Sequence, residues 1–351
     1  MSEYQYYEFQ AIDKPFTDAE MKVINTWSSR ANVSRRRASF EYSYADFPQS
    51  IEKVTAQYFD VAYYIANWGT KHLLFRFPID LVDFDELKAF SYNSEHQDQY
   101  IKVDKQEKYI VLDIYFNPSE PNDTWIEADD LSDVSPIRAA ILAGDYRALF
   151  AFWLKIRGED YEDNDEIEDD FKIPLNFIPP NLNKRNKALD NFIDFFEIDI
   201  DWVIAASEYS KISKKKTEDF AKKIKALSST TKDNYLLRLL NGESNLGLLL
   251  KKELSKSTDK KEAESQESIS FSELFEDAEV KEQQRRQRMT IQKEKERIAR
   301  LENLVNRKKE IKKTLEEYID KASGKSYVYA MEGILELQEA AIFQNKVMEK
   351  K

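Results

Sequence analysis

The chain has 351 residues, with 53 Lys and Arg against 65 Asp and Glu, a formal net charge of −12, two His and no Cys. Without Cys there are no disulfides, thiolate nucleophiles, iron–sulfur clusters or Cys-containing zinc sites, and His72 and His96 alone exclude a three-His metal centre. A charged fraction of 34% and a mean hydropathy of −0.66 argue against a membrane protein, while 42% apolar content argues against a wholly disordered chain.

Tyr4–Ile12 is aromatic-rich and reads as a strand. Thr17 and Glu20 form a capping box that opens a helix, with Phe16 and Met21 placed as its hydrophobic staple. After Arg35, Arg36 and Arg37, the segment Ala38–Tyr44 alternates as a second strand. Pro48 to Trp68 reads as one amphipathic helix, with Ile51, Val54, Tyr58, Val61 and Ile65 on one face and Gly69 as its C-terminal cap. Strands are expected again at His72–Phe77, Tyr100–Val103 and Lys108–Phe116.

Beyond residue 121 the pattern turns helical. Ser135–Pro136 caps a helix over Ile137–Leu142, and Gly144–Asp145 separates it from the next, Tyr146–Arg157. Glu159 to Asp170 holds nine acidic residues in twelve and reads as a solvated loop or a site for calcium or a basic partner, although it lacks an EF-hand pattern. Periodic segments recur at Lys184–Phe196, Ile200–Tyr209, Thr217–Leu227, Tyr235–Leu240 and Leu246–Leu254. Ser255–Ser268 has no large apolar residue and reads as a flexible linker.

Ser270 and Glu273 form a second capping box, stapled by Ile269 and Leu274, and open a helix that no Gly or Pro interrupts before Gly324. Leu301, Leu304, Lys308, Ile311, Leu315, Tyr318 and Ala322 follow an a/d spacing along it. A last helix, Tyr327–Met348, carries Met331, Ile334, Leu335, Leu337, Ala341 and Ile342.

The expected class is therefore α+β. A small mixed sheet with helices on one face occupies residues 1–120, and a helical bundle residues 121–254. After the linker at 255–268, residues 269–351 make a long basic helix and a terminal helix, a coiled-coil hairpin hinged near 324. The start of the chain carries neither a basic n-region nor an apolar h-region, so the expected compartment is the cytoplasm. Seven glycines leave no nucleotide fingerprint: in Gly242–Gly247 the following Leu248 and Leu249 replace the Lys and Ser/Thr of a P-loop.

The segments YYEFQAID at 6–13, SSRA at 28–31, YFDVAYYIANWGT at 58–70 and LLFRFP at 73–78 resemble a widespread bacterial protein family of unknown function, and IRAAILAGDYRALFAFWL at 137–154 extends the likeness. The C-terminal pattern of Tyr327, Ala330, Leu335, Leu337 and Ala341 is loosely similar to the helical tails of SWIM zinc-finger proteins, whose zinc-binding Cys and His residues this chain lacks. The first resemblance implies a bacterial cytoplasmic protein. It implies no activity and no catalytic residues.

Several features carry candidate chemistry. Trp68 at the Asn67–Trp68–Gly69 corner reads as an interface platform or as packing over a sheet edge. The Arg35–Arg37 triplet suits a phosphate or carboxylate, or intramolecular pairing. Asp80, Glu86 and Lys88 faintly echo the two carboxylates and lysine of metal-dependent nucleases, but Phe84–Phe90 reads as helical where that chemistry needs a strand. From Lys281 to Lys313 there are 13 Lys and Arg and five Glu, a local net of +8. Arg285, Arg286, Arg288, Arg297, Arg300, Arg307, Lys308 and Lys309 are accordingly the candidate nucleic-acid contacts, though no aromatics interleave to stack bases. The heptad seam instead makes Leu301, Leu304, Ile311, Leu315 and Tyr318, with Trp68, candidate protein contacts. Neither His lies in a nucleophile context, and no cofactor is expected.

The favoured function is a non-catalytic assembly protein whose body binds one component while its arm binds a helical partner or a second copy. The alternatives are a nucleic-acid-binding accessory factor and a metal-dependent hydrolase or nuclease. No membrane partner is expected.

Overall fold

The computed structural model describes residues 3–95, 97–118, 131–162, 171–213, 219–255, 267–320 and 324–349. His96, most of the acidic run (163–170) and most of the expected linker (256–266) lie outside these residues, as does Ala322. The chain forms two compact units, Met1–Ala278 and Glu279–Lys351.

The first unit is built on an eight-stranded sheet. Its elements are β1 (Gln5–Gln10), α1 (Asp18–Asn25), β2 (Asn32–Val33), β3 (Arg37–Tyr42), α2 (Ile51–Tyr58), β4 (Val61–Ala66), β5 (Lys71–Pro78), α3 (Phe84–Lys88), β6 (Tyr92–Asn93), β7 (Gln99–Lys105) and β8 (Tyr109–Phe116). The strand order is β2-β3-β1-β4-β5-β8-β7-β6. The class is α+β as expected, but every pairing is antiparallel, so the sheet is not mixed. Hairpin connections need only short turns, which suits closely spaced strands with few crossovers.

Helices also cover both faces rather than one. Strand alternation sends Val61, Tyr63, Ile65, Leu73, Phe75, Ile110, Leu112 and Ile114 to one core. There they meet α4 (Pro136–Leu142), α5 (Arg147–Glu162), α6 (Lys187–Phe195) and α7 (Ile200–Glu208). Tyr7, Phe9, Ala38, Phe40, Ala62 and Leu74 face the other way, onto Ile24 of α1 and Ile51 and Val54 of α2. The Thr17–Glu20 capping box of α1 is formed in both directions. Ser135, expected to cap α4, is itself helical and makes no side-chain cap.

The expected helix from Pro48 to Trp68 is corrected. Only Ile51–Tyr58 is helical; Val61–Ala66 is strand β4, paired on both sides, and Asn67–Thr70 turns into β5. Val61 and Ile65 are four apart, which is one helical turn but also two strand repeats, and the aromatic, β-branched composition of the run settles for the strand. Gly69 is thus a hairpin residue, with φ of +101°, and a Cβ there would stand 2.6 Å from Pro118 Cγ. Gly69→Ala is expected to cost at least about 1–2 kcal/mol, since it adds left-handed strain to that collision; urea unfolding by circular dichroism measures it.

Past α7 lie α8 (Phe220–Ala226), α9 (Ser229–Leu240) and α10 (Leu246–Ser255). β9 (Lys172–Pro174) pairs antiparallel with β10 (Ser268–Ser270), and α11 (Phe271–Asn306) follows at once. The first turns of α11 belong to the body: Ile269, Phe271, Leu274 and Ala278 are buried in the larger core. Phe271 and Phe275 pack on Tyr161 of α5 and Trp202 of α7, at ring centroid distances of 5.1–5.7 Å. Tyr209 Oη donates to Asp277 Oδ2 at 2.6 Å.

The second unit holds the rest of α11, α12 (Lys308–Asp320) and α13 (Gly324–Glu349). The expected unbroken helix is interrupted at Arg307, although Arg307 N still donates to Asn303 O and Ile311 N to Arg307 O. The expected hairpin is present and antiparallel. Tyr318 packs on Tyr329, Leu315 lies against Gly333, and Arg300 pairs with Glu339 at 2.7 Å.

Candidate functional site

On the arm, the sequence-predicted seam is occupied within the hairpin. Leu301 and Leu315 are buried, and Leu304, Ile311 and Tyr318 are half-buried. The side of α13 turned to them is lined with small residues, Ser326, Ala330, Gly333 and Ala340, together with half-buried Leu337. A Cβ on Gly333 would lie 2.5 Å from Leu315 Cδ2, so glycine is what admits the close helix approach. Ile311, Leu315, Tyr318, Tyr329 and Gly333 line a cleft of about 310 Å³ along this seam.

Six of the larger apolar residues of α13 face outward. Tyr327, Val328, Met331, Ile334, Leu335 and Ile342 are each half or more exposed. They repeat at helical spacing along roughly 22 Å of helix. Hydropathy alone could not distinguish the two faces, because both are apolar; side-chain size does.

The eight basic candidates divide. Arg286 pairs with Glu282, Arg297 with Glu294 and Glu339, Arg300 with Glu336 and Glu339, and Arg307 with Glu310. Arg288 and Lys309 are exposed, Arg285 is half-buried and lies near Met289 Sδ, and Lys308 is half-buried.

The other predicted residues are spread over the body. Trp68 is half-buried in the β4–β5 turn. Arg35 pairs with Asp18, Arg36 donates to the Ala11 and Ile12 carbonyls, and Arg37 pairs with Glu8, so all three guanidinium groups have intramolecular partners. Asp80, Glu86 and Lys88 make no common centre: Glu86 accepts from Tyr146 Oη, Lys88 donates to the Val103 carbonyl, and Asp80 offers its backbone carbonyl to Lys252.

Two constellations escaped the sequence reading. The first is a buried charge network. Arg138 of α4 forks onto both carboxylate oxygens of Asp13, at 2.9 and 2.7 Å, and its Nε donates to the Arg76 carbonyl. Arg76 of β5 donates to Asp60 at 2.9 Å, and Asp60 Oδ2 accepts the backbone N–H groups of Ile12 and Asp13. Two positive and two negative charges balance, and each acid is hydrogen-bonded, as burial demands.

The second lies where β5, β8 and the start of α2 meet. His72 Nε2 is 2.6 Å from Asp113 Oδ1, and both residues are buried at 5% exposure. Glu52, exposed in the first turn of α2, completes a trio whose ligand atoms lie within 4.8 Å of one another. The strand register explains the meeting: His72 pairs with Tyr115 and Leu74 with Asp113, so His72 and Asp113 are diagonal neighbours on one sheet face. Tyr115 meets the His72 ring edge to face and stacks on Tyr100, and the Lys102 ammonium sits 3.5 Å above the Tyr100 ring.

Burial pushes the Glu52 carboxyl upward, yet the Ser50 hydroxyl, its own backbone N–H and the charges of His72 and Lys102 outweigh this and hold it below the usual range. Burial and the carboxylates of Asp113 and Glu52 raise the Tyr100 hydroxyl, so it stays protonated. One imidazole nitrogen and two carboxylates are a donor set for a divalent cation. A charge inside an apolar run, as in KHLLFRFP and YIVLDIYF, was the available sequence signal for both constellations.

Among the described residues, no helix is long and apolar enough to cross a membrane. No protein-family model, curated protein or solved structure matches the chain.

Proposed function

We propose that this chain is a non-catalytic assembly protein of the bacterial cytoplasm that self-associates through its helical arm, leaving the body to engage another component. The observation that carries this reading is the exposed apolar face of α13. Its occupant is the same face of a second copy. About a midpoint between Ile334 and Leu335 the stripe reads nearly the same in both directions: Tyr327 mirrors Ile342, Val328 mirrors Ala341, and Met331 mirrors Gln338. An antiparallel two-fold pairing therefore sets apolar residues against apolar residues along the helix, except where Met331 meets Gln338.

The nucleic-acid alternative is less favoured, because Arg286, Arg297, Arg300 and Arg307 already have carboxylate partners. Light scattering on the full chain tests the proposal. The expected mass is twice 41.3 kDa. The double variant Met331→Glu/Leu335→Glu should return it to one chain, with the far-ultraviolet circular dichroism unchanged. A monomeric parent, or a dimer indifferent to both substitutions, overturns it. Dimerisation that survives those changes but is lost in Arg285→Glu/Arg286→Glu/Arg288→Glu with nuclease-sensitive mass would favour the alternative instead.

A further inference from the structure

We propose that Glu52, His72 and Asp113 form an open binding site for one divalent transition-metal cation, with zinc as the best-matched ion. Metal ligands about 2.0–2.2 Å from an ion stand roughly 3–3.5 Å apart in a tetrahedral shell. The three donor atoms already lie within 4.8 Å of one another, so rotamer-scale adjustments bring them to that spacing. His72 and Asp113 are fixed on adjacent central strands, which supplies the rigidity a ligand pair needs.

The chemistry of burial supports the assignment. Asp113 is buried and needs a positive partner. Its present partner is His72, whose Nε2 lies 2.6 Å from Asp113 Oδ1. A divalent cation between them supplies the positive charge that a buried carboxylate calls for, with the imidazole coordinating through a ring nitrogen. Ser50 Oγ donates to Glu52 Oε2 at 2.6 Å and orients the carboxylate, as outer-shell donors do in metal sites. Tyr115 and Tyr100 wall the site on one side, and exposed Glu52 marks the entry from solvent.

With only three protein ligands the remaining position falls to water, the arrangement of exchangeable rather than closed structural sites. The imidazole nitrogen selects zinc over magnesium, which prefers an all-oxygen octahedron. Lys102 lies close enough to influence Glu52 electrostatically, and two carboxylates against one ammonium still leave the donor set net negative.

The test is isothermal titration of the chelator-treated full chain with zinc chloride, repeated with magnesium chloride. One zinc per chain is expected, with magnesium binding at least tenfold weaker. His72→Ala and Glu52→Gln should each weaken zinc by more than the 10–100-fold that loss of an outer-shell partner typically costs. Glu52 is exposed, so Glu52→Gln should keep the metal-free melting temperature and serves as the variant that folds regardless. No zinc binding by the parent, or zinc binding unchanged in both variants, overturns the proposal; the second result would place the ion elsewhere, such as the acidic run at 159–170.

Discussion

Arg138→Met is expected to destabilise the body by about 3–5 kcal/mol, the usual cost of removing one partner from a buried ion pair. Methionine keeps most of the stem, so the loss isolates the guanidinium. Asp13 would lose both of its bonds from that fork, and the Arg76 carbonyl would lose its donor. Asp60 keeps Arg76 and two backbone donors, so the damage concentrates on Asp13 and on the seam between α4 and the sheet. Arg138→Met/Asp13→Asn should recover part of the loss, because it no longer strands a charge. Urea denaturation followed by circular dichroism reads all of these; a single-variant loss below about 1 kcal/mol would show that solvent replaces the fork.

The second large effect is at the root of the arm. Phe271 is only 2% exposed, between Tyr161 and Trp202. Phe271→Ala should cost about 3–5 kcal/mol, as other buried phenylalanine truncations do. Although the residue lies beyond a polar stretch that reads as a tether, the loss should appear in the unfolding of residues 1–278. Trp202 fluorescence reports on it directly, and limited proteolysis near residues 267–280 should accelerate in parallel. A midpoint unchanged within about 0.5 kcal/mol would mean that β10 and the first turns of α11 contribute nothing to the body.

How much of this was legible depended on range. The Thr17–Glu20 cap and five of the main sheet's eight strands, β1, β3, β5, β7 and β8, were readable because their signals lie within a few residues. The run from Val61 to Ala66 fits both periods by its apolar spacing; its composition leans to the strand, and its pairing with β1 and β5 fixes it there. The charge network joins residues 13, 60, 76 and 138, and no local pattern links them. On the arm, the heptad seam was found but its use was not. Small residues, invisible to a hydropathy pattern, take the inside of the hairpin and leave the large ones outside.

The burial of Phe271 and Leu274 also has a consequence for the order in which the protein is made. The last strand of the main sheet ends at Phe116, but the core beneath it is finished only by residues near Ala278. At about 5–20 residues per second, a ribosome needs roughly 10–30 s to travel between those points. In the later part of that interval, once Trp202 has been made, the nascent chain presents an open apolar slot bounded by Tyr161 and Trp202. The body is thus a fold that translation closes late, and premature termination after α10 would release it unplugged.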